Sequence, residues 1–84
     1  MGEVDAILNR VLKSQENYTM QIVWDVSGNP IYVGEAEPGT STSDTGWRIK
    51  KITWTSGNPT QITWASGSRE FKFTWDKYLN YTYS

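Results

Sequence analysis

The chain predicts a mainly β fold: a single small antiparallel β-sandwich or barrel-like domain of hairpins, with a short N-terminal helix and a long polar loop. Three observations predict it. From Tyr18 onward apolar and polar residues alternate with a period of two. Ser-Gly pairs recur after tryptophan, in Trp24-Asp-Val-Ser-Gly28, Trp54-Thr-Ser-Gly57 and Trp64-Ala-Ser-Gly67, and supply the positive φ that reverses a chain. The third is composition: five Trp, five Tyr and two Phe in 84 residues, side chains that suit a pleated, half-buried surface.

The segment 1–16 stands apart. Val4, Ile7, Leu8, Val11 and Leu12 fall at i, i+3, i+4, i+7 and i+8, the stripe of an amphipathic helix. Glu3 and Asp5 lie in its first turn and Arg10 and Lys13 in its last, which suits the helix dipole. So short a helix is marginal in water and must dock on something. Residues 17–84 then form the β domain. In its first strand Tyr18, Met20, Ile22, Trp24 and Val26 share one face, with Val23 an exception on the other. Ser27-Gly28-Asn29-Pro30 is a turn, and Ile31 to Val33 resumes a strand.

Residues 34–46 are the long loop, with Ala36 as its one apolar side chain. Fully extended, it reaches about 40 Å. Beyond it, Ile52-Thr-Trp54, Ile62-Thr-Trp64 and Phe73-Thr-Trp75 repeat. Their large apolar residues keep one parity against Thr, Gln and Lys, the pattern of a sheet with one covered and one wet face. Trp24, Trp54, Trp64 and Trp75 are assigned to the core. Asp76 to Asn80 reads as a turn or helical turn before a last strand, Tyr81 to Ser84.

Composition removes most chemistries. There is no Cys and no His, so disulfides, thiolate zinc sites and the usual general base are absent. Glu35 and Glu37 lie in a solvated segment with nothing apolar to tune a carboxyl for acid catalysis. Glu35, Glu37 and Asp44 lack the spacing of a calcium loop. No enzyme, metal or cofactor is expected. Asn17-Tyr-Thr19 and Asn80-Tyr-Thr82 match the glycosylation sequon at about the chance rate. No secretory leader and no membrane span are expected.

Charge is asymmetric. Residues 1–46 carry two basic against seven acidic residues, and residues 47–84 six against two, for a formal net charge of −1 overall. Either the halves attract within one fold or copies associate head to tail. Trp47-Arg-Ile-Lys-Lys51 and Arg69-Glu-Phe-Lys-Phe73 interleave aromatic and basic residues as single-strand binders do. The alternation places rings and charges on opposite faces, however, and the net charge is slightly negative, so nucleic acid is not the expected partner. Exposed Trp and Tyr on a sheet would equally serve a carbohydrate.

The string from Tyr32-Val-Gly-Glu-Ala-Glu-Pro-Gly-Thr through Thr45-Gly-Trp47-Arg-Ile-Lys-Lys-Ile52, with Phe73-Thr-Trp-Asp76 and Tyr81-Thr-Tyr-Ser84, resembles small virion-associated structural proteins of tailed bacteriophages. The resemblance spans residues 31–84. The chain departs from it at Trp64-Ala-Ser-Gly67, where such proteins tend to carry an acidic turn, and at Lys72 and Lys77. It implies a non-enzymatic virion protein, made in the host cytoplasm, that decorates or cements the capsid. The partners would be the major capsid protein or other virion proteins, and further copies of itself. A tail or head-fibre adaptor is one alternative; a β carbohydrate- or nucleic-acid-binding module is another. The expected contact residues are Val4, Ile7, Leu8 and Val11 on the helix, and Glu35, Glu37, Pro38, Gly39, Asp44 and Trp47 along the loop.

Overall fold

The computed structural model describes residues 17–84. The expected helix with Val4, Ile7, Leu8 and Val11 lies outside the described residues. The rest is mainly β, as the alternation predicts. Strands β1 (Thr19–Trp24), β2 (Pro30–Ala36), β3 (Arg48–Thr55) and β4 (Asn58–Trp64) form one antiparallel sheet in the order β1-β2-β3-β4. A 3₁₀ helix, Trp75–Asn80, follows, where the sequence reads as a helical turn.

The Ser-Gly pairs turn the chain by two different devices. Between β3 and β4, Ser56 and Gly57 both have positive φ, 51° and 81°, the two-residue turn whose twist matches that of the strands. Ser66 and Gly67 repeat the geometry at 50° and 66°, but there the turn leads the chain off the sheet. Between β1 and β2 only Gly28 has positive φ. That turn is built instead on Asp25, whose Oδ1 accepts the Ser27 and Asn29 N–H groups, both at 2.9 Å.

Register sorts the strands into two faces. The first carries Val23, Tyr32, Gly34, Ala36 and Ile49, and the second Met20, Ile22, Val33, Glu35, Arg48, Lys50 and Ile52. The main core lies on the first face, where Ala36, Trp47, Ile49 and Ala65 pack with Phe73, Trp75, Tyr78, Tyr81 and Tyr83. Val23, the exception in the sequence pattern, is thus the β1 residue that reaches this core. The expected sandwich or barrel takes the form of one open sheet covered on this face by its own C-terminal segment. Phe73 is joined to Trp47 by a pair of backbone bonds of 2.8 and 2.9 Å, and Ser84 to Trp64 by a pair of 3.1 Å. The expected strands at Phe73–Trp75 and Tyr81–Ser84 are reduced to two isolated bridges, Phe73 to Trp47 and Tyr83 to Ala65.

Gly34 seats this covering layer. A Cβ there would lie 2.5 Å from the Trp75 ring, so the close approach of ring to strand requires glycine. Trp75 stacks on Tyr78 at 4.9 Å and lies 6.2 Å from Trp47, while Tyr78 and Tyr83 flank Tyr32 at 5.0 and 5.4 Å. The Tyr83 hydroxyl donates to the Tyr78 carbonyl at 2.7 Å, and the Thr74 N–H to the Tyr81 hydroxyl at 2.9 Å.

Of the four tryptophans assigned to the core, Trp75 is buried and Trp54 and Trp64 are half-buried. Trp24 is 51% exposed. It follows the register shift at Val23/Trp24 that ends β1, and the bulge releases its side chain from the packed rows.

Candidate functional site

The antiparallel topology puts the Asp25–Asn29 and Ser56–Gly57 turns at one end of the sheet. The long loop, the Ser66–Gly67 turn and Ser84 lie at the other. The loop starts later than the sequence suggests, because β2 runs on to Ala36. It is also no extended arm. The Thr40 N–H donates to the Glu37 carbonyl and the Asp44 N–H to the Ser41 carbonyl, closing two successive turns at 3.1 and 3.0 Å. Asp44 Oδ2 accepts the Ser41 N–H at 3.0 Å, and the Ser41 and Ser43 hydroxyls meet at 3.0 Å.

Two bonds fasten this loop to the core. The Trp47 indole N–H donates to the Ser41 carbonyl at 2.9 Å, and the Asp76 N–H to the Thr42 carbonyl at 3.1 Å. Both acceptors are backbone groups, so these two bonds engage none of the loop's side chains; those of Ser41, Ser43 and Asp44 bond within the loop. Glu37, Pro38, Gly39, Ser41, Ser43, Asp44 and Thr45 are exposed. The result is a polar, preformed surface carrying the charges of Glu37 and Asp44.

The structure separates the loop residues named as contacts. Glu37, Pro38, Gly39 and Asp44 come together on that surface. Trp47 does not: its side chain is fully buried in the aromatic core, because the bridge to Phe73 holds it beneath the C-terminal segment. Glu35 is buried too, on the second face. Its Oε1 takes the Arg48 Nε at 2.9 Å, and the Arg48 guanidinium lies over the Phe71 and Tyr18 rings at 4.6 and 5.4 Å. The desolvated carboxylate is held by a charge-assisted bond, and the cation is shared between that bond and two ring faces.

Lys50 lies beside this pair and is also buried, its ammonium 5.4 Å from the Trp64 ring. Burial lowers its pKa below the ordinary lysine value; Glu35 opposes the shift and Arg48 adds to it. On the first face, burial pushes the Tyr83 phenol upward, helped by Tyr32, Tyr81 and Tyr78. The alternation places the charges opposite the large apolar side chains, but the register puts Arg48 and Lys50 on the same face as Ile52, and nothing in the spacing marked Glu35 as the buried partner of Arg48.

A second exposed surface lies at the opposite end, where Trp24 and Val26 project from the first hairpin. Ile62 is exposed on β4 as well, beside an open depression lined by Pro59, Thr60 and Gln61. Among the described residues no three Asp or Glu side chains gather as metal ligands, and no helix is long and apolar enough to cross a membrane. No family model, no characterised protein and no solved structure matches the chain.

Proposed function

We propose that this chain is a non-enzymatic structural protein of a tailed-phage virion, a decoration or cement subunit that binds the capsid through the loop 37–46. The observation that carries the reading is the loop itself. Its backbone is committed to the core through Ser41 and Thr42, while Glu37, Pro38, Gly39 and Asp44 face outward. A surface held in one shape before binding loses little entropy on docking. Repetition over a lattice then multiplies a modest contact into firm attachment. The resemblance of residues 31–84 to small phage virion proteins supports the same reading, as does the charge asymmetry, which suits contacts between successive copies.

The test is cosedimentation with particles that lack the chain. A Glu37→Lys, Pro38→Ala double variant leaves every bond that fastens the loop in place. It is expected to fold normally and to bind particles at least tenfold more weakly. Folded protein that binds undiminished overturns the loop as the contact. The exposure of Trp24 favours one second reading, a glycan-binding surface at the opposite hairpin. Quenching of Trp24 fluorescence by host polysaccharide, lost in Trp24→Phe, would favour that reading over the first.

A further inference from the structure

We propose that Arg48 is a binding site for a carboxylate, which pairs with the end of its guanidinium on the second face of the sheet. The starting point is how firmly that side chain is held. Arg48 and Glu35 stand opposite each other on the inner strands β3 and β2, and Arg48 Nε donates to Glu35 Oε1 at 2.9 Å. The Glu35 side chain is 3% exposed, so the anchor is itself packed in place. The guanidinium lies 4.6 Å from the Phe71 ring and 5.4 Å from that of Tyr18, and the two rings meet at 5.0 Å. A planar cation fixed by one charged bond and two ring faces keeps a single orientation.

That arrangement leaves one edge of the fork over. Arg48 Nη1 and Nη2 have no acceptor among the described residues. No buried side-chain nitrogen there lacks a partner, so both atoms reach water, in keeping with the 28% exposure of the side chain. Two parallel N–H donors in one plane match the two oxygens of a carboxylate. Charge then limits the ligand. Lys50 stands two residues along the same face, about 7 Å away, and Arg48 helps to lower its pKa. Glu35 cancels one of these two cations, while Glu70 and Lys72, flanking Phe71, pair with each other at 3.2 Å. The surplus is therefore no more than one positive charge. A single negative charge balances it and relieves the repulsion between Arg48 and Lys50; a dianion overshoots. Donors already in position lose little entropy on binding. The site lies on the sheet and shares no residue with the loop 37–46, so the inference is independent of what the loop contacts.

The test is an NMR titration of the full-length protein at pH 7 and constant ionic strength, with sodium acetate replacing chloride and the Arg48 side-chain N–H signals followed. Saturable shifts centred on Arg48 and Lys50 are expected, with half-saturation in the millimolar range. Arg48→Lys keeps the charge and loses the fork, and is expected to weaken acetate by about tenfold. Shifts that rise linearly without saturating, or an Arg48→Lys protein that folds and binds acetate equally well, overturn the proposal. The unsubstituted protein supplies a second criterion that needs no variant: inorganic phosphate that binds about tenfold more tightly than acetate overturns the assignment to a carboxylate. A Gly-Glu-Gly peptide, blocked at both ends, separates two sources of the ligand. Tighter binding than acetate supports the site with a partner's acidic side chain as its ligand, and equal binding supports it with a free small acid.

Discussion

Gly34 and Glu35 are neighbours on β2 and point to opposite sides of the sheet. On Gly34's side the missing Cβ admits the Trp75 ring, and a layer of stacked aromatics closes over it. On Glu35's side a buried carboxylate meets Arg48, with Lys50 buried nearby, its ammonium over the Trp64 ring, beside two buried aliphatic residues. The first face is held by ring area and shape. The second mixes a small apolar patch with buried charge, where each partner depends on the other. Apolar packing loses stability in proportion to the volume removed. A buried ion pair fails abruptly when one partner goes.

The comparison predicts a ranked set of outcomes. Trp75→Ala empties the aromatic layer, and chemical denaturation is expected to register a loss of about 3–5 kcal/mol. Gly34→Ala drives a Cβ into that ring and costs about 1–3 kcal/mol. A fully stable Gly34→Ala protein would show that the layer is looser than its geometry indicates. On the second face, Glu35→Gln leaves the part-buried Arg48 without its ion-pair partner and removes the negative charge that acts on buried Lys50. Because the Arg48 side chain is 28% exposed, the expected cost is about 2 kcal/mol, the lower part of the range for a broken buried pair. Restoring stability with Glu35→Gln, Arg48→Met would identify the unpaired charge as the cause.

Alkaline pH separates the faces by sign. Lys50 has a lowered pKa in the folded chain, so unfolding takes up a proton between that value and 10.5. Stability contributed by this face therefore rises with pH across that window. The Tyr83 phenol is raised from 10.0, so above pH 10 unfolding releases a proton and stability from the first face falls. Lys50→Met is expected to abolish the rise, and Tyr83→Phe to soften the fall, in thermal midpoints followed from pH 7 to 11. The smallest expected effect concerns neither face. Ser56→Asn places a residue suited to positive φ in the β3–β4 turn and should gain less than about 1 kcal/mol.

Much of the fold was legible because β periodicity and turn chemistry are local. The strands around Ile22, Ile52 and Ile62, the Ser-Gly turns and the helical turn at Asp76 all follow from neighbouring residues. What pairs with what was not legible. That Trp47 is roofed over by Phe73, that Gly34 makes room for Trp75 and that Glu35 answers Arg48 are contacts between residues far apart in the chain. Alternation also carried no signal for which apolar parity meets the larger core, so Val23 stood as an exception and Trp24 as a core residue. Within the candidate site, the polar loop was visible as composition, but its fastening to Trp47 and Asp76 through the Ser41 and Thr42 carbonyls was not, because backbone carbonyls leave no mark in sequence.

The functional claim rests on the loop meeting a repeated partner, and the direct measurement is the number of copies of this chain per purified virion, by mass spectrometry scaled to the major capsid protein. Copies in the hundreds are the predicted result. A handful per particle would move the protein to the tail or a vertex, and its absence from virions would contradict the structural reading outright.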